Sequence, residues 1–346
     1  MKAWIIALAL LPSMAAAQSS LQEAARWCNR QDPSVTPDKS VAGCSWLIRS
    51  SLLTPQNVAA AFFYRANAYI ALGDRAGAMA DLTAATRANP EFGAAFFNLG
   101  LLRLAAGDRA GAIADFSEAI RLNHRDSESF SNRGAAKAAG GDRLGAIADY
   151  TEAIRLNPRL AIAYLNRGLA RAAEGDGTTA IADYTEAIAI NPQYPAAFTA
   201  RGDVRTAQGD HAGAIADYSE AIRLDPRDAS ALATRGLLQR RVGQADAARA
   251  DVEAAIRVAL PADGRPHAAR AGLALLRGDR AAARIDLAEA LRRNNNDSVA
   301  LGLRAILHAA GGDAARAAAD AAAARRIDPR IAEVILSHFG PDLVLP

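Results

Sequence analysis

The side chains able to do chemistry in this chain are a pair of cysteines, a periodic set of acids and arginines, and a short series of asparagines. Cys28 and Cys44 are the only cysteines in 346 residues, and they are not a Cys-x-x-Cys pair. A zinc site would need two more ligands, and the five histidines (124, 211, 267, 308, 338) lie far downstream. In an exported chain an even, isolated pair reads as a disulfide, with a redox pair or free thiols as the alternatives. A closed loop of that size contributes about 3 kcal/mol by chain entropy. No Gly-x-Ser-x-Gly, P-loop, His-Glu-x-x-His or dinucleotide fingerprint appears, so no catalytic or metal-binding constellation is read and no cofactor is expected. Asp81, Asp115, Asp149, Asp183, Asp217, Asp251, Asp286 and Asp320 recur in one column, and Arg65, Arg133, Arg167, Arg201, Arg235, Arg270 and Arg304 in another. Such a pattern predicts ion pairs holding structural elements in register, with arginines free to meet an acidic ligand as the lesser alternative. Leu99 interrupts the arginine column and leaves Asp115 as the odd member.

The elements that must position these residues are helices. Alanine fills 87 of the 346 positions and aromatics only 5%, a mixture that suits close helix packing and disfavours sandwiches and barrels. Net charge is +3 with both signs interspersed, so no basic stripe points to nucleic acid. Lys2, the apolar run 3–11 and the Ala15-Ala16-Ala17 site make residues 1–17 a signal peptide, and no later stretch is long enough to span a bilayer. The rest of the chain repeats. Gly-Asp stands at 73–74, 107–108, 141–142, 175–176 and 209–210, each step 34 residues, and continues as Gly243-Gln244, Gly278-Asp279 and Gly312-Asp313 after a one-residue slip near 261–264. Phe62, Phe96, Phe130, Tyr164 and Phe198 form a large-residue column; Gly100, Gly134, Gly168, Gly202 and Gly236 form a small one. Asn-Pro or Asp-Pro closes units at 89–90, 157–158, 191–192, 225–226 and 328–329. Each unit reads as two helices. In the unit 161–194 they are predicted over about 160–174 and 178–190, the first stopped by Gly175 and the second capped by Asp176. Small columns such as Gly168 and Ala180 should let the two backbones approach, with Tyr164 and Tyr184 wedged between neighbouring units.

This pattern resembles the tetratricopeptide repeat (TPR) family over residues 59–331, most specifically over 59–228. The resemblance implies an all-α TPR α-solenoid, a right-handed superhelix of antiparallel helix pairs. Its eight units would be 59–92, 93–126, 127–160, 161–194, 195–228, 229–263, 264–297 and 298–331. A degenerate helix pair at 18–58 precedes them, and 332–346 would cap the end, with 331–339 helical. The later units look less well packed, since His267 takes an aromatic position and alanines crowd 314–324. Extending the register backwards sets Cys28 and Cys44 face to face as a staple of the first pair, with Trp27 and Trp46 nearby. In TPR arrays the column of Asn98, Asn132 and Asn166 looks into the concave groove, where such amides hold a peptide backbone; bonds to a neighbouring repeat are the structural alternative. Phe63, Phe97 and Leu165, with Leu101 and Leu169, would complete an apolar lining. The lysine clamp of chaperone-binding TPRs is missing, since only Lys2, Lys39 and Lys137 occur. The expected function is non-catalytic: a periplasmic or secreted scaffold that holds an extended peptide or helix of a cell-envelope protein. The alternative is an envelope scaffold that self-assembles through its convex face or ends.

Overall fold

The structure is a computed structural model that describes residues 21–29, 33–50 and 53–346; the segment 1–17 lies outside them. All regular structure among the described residues is helical. The chain divides into two compact units, Met1–Ala170 and Arg171–Pro346. The first unit holds α1 (21–28), α2 (Pro37–Arg49), α3 (Pro55–Leu72), α4 (Arg75–Ala88), α5 (Gly93–Ala105), α6 (Arg109–Leu122), α7 (Ser127–Ala139), α8 (Arg143–Leu156) and most of α9 (Ala161–Ala173). The second continues with α10 (Gly177–Ile190), α11 (Pro195–Ala207), α12 (His211–Leu224), α13 (Ala229–Arg241), α14 (Ala245–Val258), α15 (Arg265–Leu276), α16 (Arg280–Arg293), α17 (Ser298–Ala310), α18 (Ala314–Ile327) and α19 (Ile331–Phe339). In each unit consecutive helices pack pairwise as antiparallel hairpins.

Turn chemistry sets these boundaries. The glycines at 73, 107, 141, 175, 209, 243, 278 and 312 all take left-handed φ values between 77° and 89°, which end the first helix of each hairpin without a Cβ penalty. Except after Gly243, where Gln244 makes no side-chain cap, the aspartate that follows caps the second helix, as Asp142 does by accepting from Gly145 N at 2.9 Å. Apart from α14, which ends at Ala259, the second helix stops at an Asn or Asp whose side chain accepts from the backbone two residues on, as Asn157 does from Arg159 N at 3.1 Å.

The glycine column works differently from a simple backbone approach. A Cβ at Gly134 would meet the Tyr150 ring at 2.9 Å, one at Gly100 the Phe116 ring at 2.8 Å, and one at Gly202 the Tyr218 ring at 3.1 Å. Each glycine thus makes room for a ring of the second helix. At Gly236, where Val252 replaces the ring, backbone comes as close, with Ala248 O at 2.9 Å. Phe116, Tyr150, Tyr184 and Tyr218 are consequently deeply buried rings. Tyr164 is half-buried with the Arg167 guanidinium 5.6 Å above its ring, an arrangement that Phe62, Phe130 and Phe198 share with Arg65, Arg133 and Arg201.

The arginine column is spent on the fold. Arg133 grips Asp149 through Nε and Nη2 at 2.9 and 2.7 Å, and its Nη1 reaches back 3.1 Å to Ser117 of the preceding hairpin. Arg65, Arg201 and Arg235 repeat this double attachment, bonding Asp81, Asp217 and Asp251 and reaching back to Ser45, Thr185 and Ser219. One side chain therefore fixes both the hairpin and its stacking on the previous one. Asp115 does have an arginine within its hairpin, though not from the column: Arg103, one turn after Leu99, donates to both its oxygens at 2.7 and 2.8 Å.

At the N-terminus Cys28 and Cys44 form a disulfide between α1 and α2. The backbones cross closely at Gly43, where a Cβ would meet Ala24 O at 2.7 Å. Trp46 stands 37% exposed and is no part of that core. At the other end the alanine-rich helices are well filled rather than loose. A single apolar cluster runs from Leu232 to Leu345, because α19 and the tail residues Leu343 and Leu345 fold back onto it.

Candidate peptide-binding surface

The first helices of the hairpins carry the expected site, and all eight residues fall in the first unit. Asn132 and Asn166, on α7 and α9, line one open cavity of about 210 Å³ together with Glu128, Ser131, Ala135, Leu160 and Ile162. A second cavity, of about 260 Å³, is lined by Phe97 and meets the first at Glu128. The two form a run along α5, α7 and α9. Leu101 and Leu169 stand 37% and 48% exposed. Leu165 does not belong to the surface: it is buried to 5% exposure. Phe63 is half-buried with its ring 5.0 Å from Phe92, and Phe97, also half-buried, packs 5.9 Å from Phe116.

The asparagines are held differently from one another. Asn98 Nδ2 donates to Asn67 Oδ1 at 3.2 Å, a bond between neighbouring hairpins. Asn132 Nδ2 donates to the Glu128 carbonyl of its own helix at 2.9 Å, which fixes the amide plane and turns its oxygen away from that bond. The Asn166 side chain makes no hydrogen bond to another described residue. Glu128 and Asn67 were not found from sequence, because neither recurs in its column.

The second unit carries a site that sequence reasoning missed. A cavity of about 370 Å³ is lined by Ser230, Ala233, Thr234 and Leu237 of α13. These stand at the repeat positions that Glu128, Ser131, Asn132 and Ala135 hold on α7. Here α19 covers the surface, packing against α13, α15 and α17. The expected end cap thus lies along the inner helices and reaches two hairpins back. Arg241 of α13 donates to the carbonyls of Leu336 and Ser337 at 2.8 and 2.6 Å, closing the C-terminal end of α19. Ile331, Ile335 and Phe339 are buried. A Cβ on Gly302 would meet Ile335 at 2.6 Å, and one on Gly272 would fall against the Phe339 ring. Gly302 stands in the column of Phe97, and Gly272 in that of Leu101; those two exchanges were the signal that a helix lies there.

The charged side chains lining the covered cavity are Asp203, Asp297 and Arg265. Tyr218 Oη donates to Asp203 at 2.6 Å. Burial pushes the Asp203 carboxyl above its ordinary value, the tyrosine bond pulls it back, and Asp228 raises it again. Burial likewise raises Asp297, whose Oδ2 has no hydrogen-bond partner among the described residues. Burial and then Arg241 hold His338 below the usual histidine range. No group of three or more His, Cys, Asp or Glu among the described residues could hold a metal ion, and no described helix is long and apolar enough to cross a membrane.

The tetratricopeptide repeat family matches residues 63–126 and 132–195, and a second TPR repeat family matches 202–243. Comparison with the curated proteins finds no match. Among solved structures, a tetratricopeptide repeat protein from Parabacteroides merdae is 22% identical with a TM-score of 0.56, over 70% of this chain and 95% of its own. The Pseudomonas aeruginosa protein pilF is 18% identical with a TM-score of 0.54, covering 62% and 96%. PilW, described as a type IV pilus biogenesis factor, is 20% identical with a TM-score of 0.52, covering 57% and 91%. At these identities the likeness is one of fold. The chain is a tetratricopeptide repeat protein, and its fold is the all-α TPR solenoid.

Proposed function

We propose that the protein is a non-catalytic receptor of the cell envelope. It is exported by cleavage after Ala17 and holds an extended segment of another protein along α5, α7 and α9. The observation that carries this reading is the contrast between equivalent columns in the two units. Where α19 lies on the surface, the asparagine column holds Thr234 and Ala269. A helix satisfies its own backbone and asks no hydrogen bonds of its partner. In the first unit the same column holds Asn98, Asn132 and Asn166, side chains that offer an extended backbone the donors and acceptors it lacks. Leu101 and Leu169 add accessible apolar contact. The Cys28–Cys44 disulfide suits an oxidising compartment, in line with the signal-like segment 1–17.

Replacing Asn132 and Asn166 together by alanine tests the assignment. Affinity capture from envelope extracts, quantified by mass spectrometry, is expected to recover the main partner of the wild-type chain in at least tenfold lower yield. Helical content and melting should stay unchanged, since neither amide is part of the buried ion-pair ladder. Equal recovery by the double variant would show that the asparagines serve the fold alone.

A further inference from the structure

The covered cavity of the second unit is only half complemented by the helix that sits on it. The apolar side is matched: Ile331, Ile335 and Phe339, at i, i+4 and i+8, form one seam of α19. Two of them occupy the space left by Gly302 and Gly272. The polar side is not matched. Asp203 and Asp297 line the cavity, yet α19 offers it only Val334, Ser337 and His338 besides the Phe339 ring. Arg265 offsets part of the charge of Asp297, whereas Asp203 is bonded by the neutral Tyr218 hydroxyl and feels the added negative charge of Asp228. Asp203 also stands at the position that Leu101 and Leu169 fill in the first unit, so an acid has replaced an apolar contact on this face. The linker that holds α19 in place is short, Asp328 to Arg330.

We propose that the inner surface of the second unit is a helix-binding site whose resident occupant, α19, is exchangeable. The partner it fits is an amphipathic helix with the same i, i+4, i+8 apolar seam and a lysine or arginine reaching Asp203. The partner's last carbonyls would take the place of those of Leu336 and Ser337 on Arg241. This site is separate from the asparagine surface of the first unit. It shares with that reading only the premise that inner helix faces bind protein, and Asn132→Ala with Asn166→Ala leaves the following assay unchanged.

The test uses the full mature chain with Ile335→Asp and Phe339→Asp, which expels α19, and fluorescein-labelled peptides of residues 328–346. One peptide is native; two others carry Ser337→Lys or His338→Lys. Fluorescence anisotropy is expected to show binding to the expelled variant. It should be at least tenfold weaker to the wild type, where the tethered helix competes at high effective concentration. At least one lysine peptide should bind about tenfold tighter than the native one, and Asp203→Asn should abolish that gain. Hydrogen exchange should show release of 331–346 with α13–α18 still protected. Adding Gly272→Leu to the expelled variant fills the seat of Phe339 from α15 and should abolish peptide binding. If the expelled variant binds no peptide, if Gly272→Leu leaves its binding unchanged, or if α13–α18 lose protection when α19 leaves, the helix is part of the fold and the site is not exchangeable. If Asp203→Asn leaves the lysine gain intact, or no gain appears, the acid does not read a cation.

Discussion

Asp115 should titrate near pH 6, and Leu99→Arg should bring it back toward the range of an ordinary carboxylate. The side chain is buried, at 5% exposure, and burial pushes it from the usual 3.8 up to about 6, against the opposing pull of Arg103. Its counterparts Asp149 and Asp217 are each held by two cations, Arg133 with Lys137 and Arg201 with Arg205. Asp115 has only the second of these positions filled, because Leu99 stands where the first would be. At about 1.4 kcal/mol per pH unit, ionised Asp115 is about 3 kcal/mol less favourable in the folded chain than in the unfolded one. The sign follows from a folded pKa above the unfolded one. Its contribution to stability is full below pH about 4 and is lost as pH rises through about 6. Leu99→Arg recreates the geometry of Arg133 over Asp149 and should lower the Asp115 pKa by at least one unit. Loss of the buried leucine costs about 2 kcal/mol of its own, so titration rather than stability carries the test. Carboxyl carbon NMR across pH 3–8 reads the residue directly. A wild-type Asp115 titrating at or below 4, or a variant titrating no lower than the wild type, would refute the argument.

Two further predictions concern the fold that presents the site. Asp149→Ala leaves Arg133 and Lys137 converging on an empty place, and should cost about 3 kcal/mol with loosening confined to α7 and α8, seen by hydrogen exchange. Cys28→Ser with Cys44→Ser should remove about 3 kcal/mol from the α1–α2 pair. Limited proteolysis should then cut within residues 21–50 first, with the later hairpins as resistant as before.

Repeat arithmetic made the hairpins legible because each boundary is written in local chemistry. The predicted helices of the unit 161–194 differ by one residue at most from Ala161–Ala173 and Gly177–Ile190. The ion-pair columns were legible for the same reason, but their backward bonds to Ser45, Ser117 and Ser219 were not, since a surface hydroxyl does not announce a partner and Ser45 stands one turn out of the register of the other two. Leu165 misled because it shares a column with Phe63 and Phe97. The column fixes a direction, whereas burial depends on what the next hairpin puts above it. The placement of α19 was the largest gap. Its extent is marked by Pro329 and Gly340, yet its docking depends on Gly272 and Gly302, two small residues more than 25 positions away that look like decay of the repeat until something is seen to lie on them.

The most direct test of the receptor assignment is site-specific photo-crosslinking in cells, with a photoreactive phenylalanine derivative at position 132 or 166 and, as a control, at Leu144, which is 71% exposed on a second helix. The assignment predicts a discrete adduct with one envelope protein from positions 132 and 166 and none from 144. Adducts of equal yield from all three positions, or from 144 alone, would contradict it.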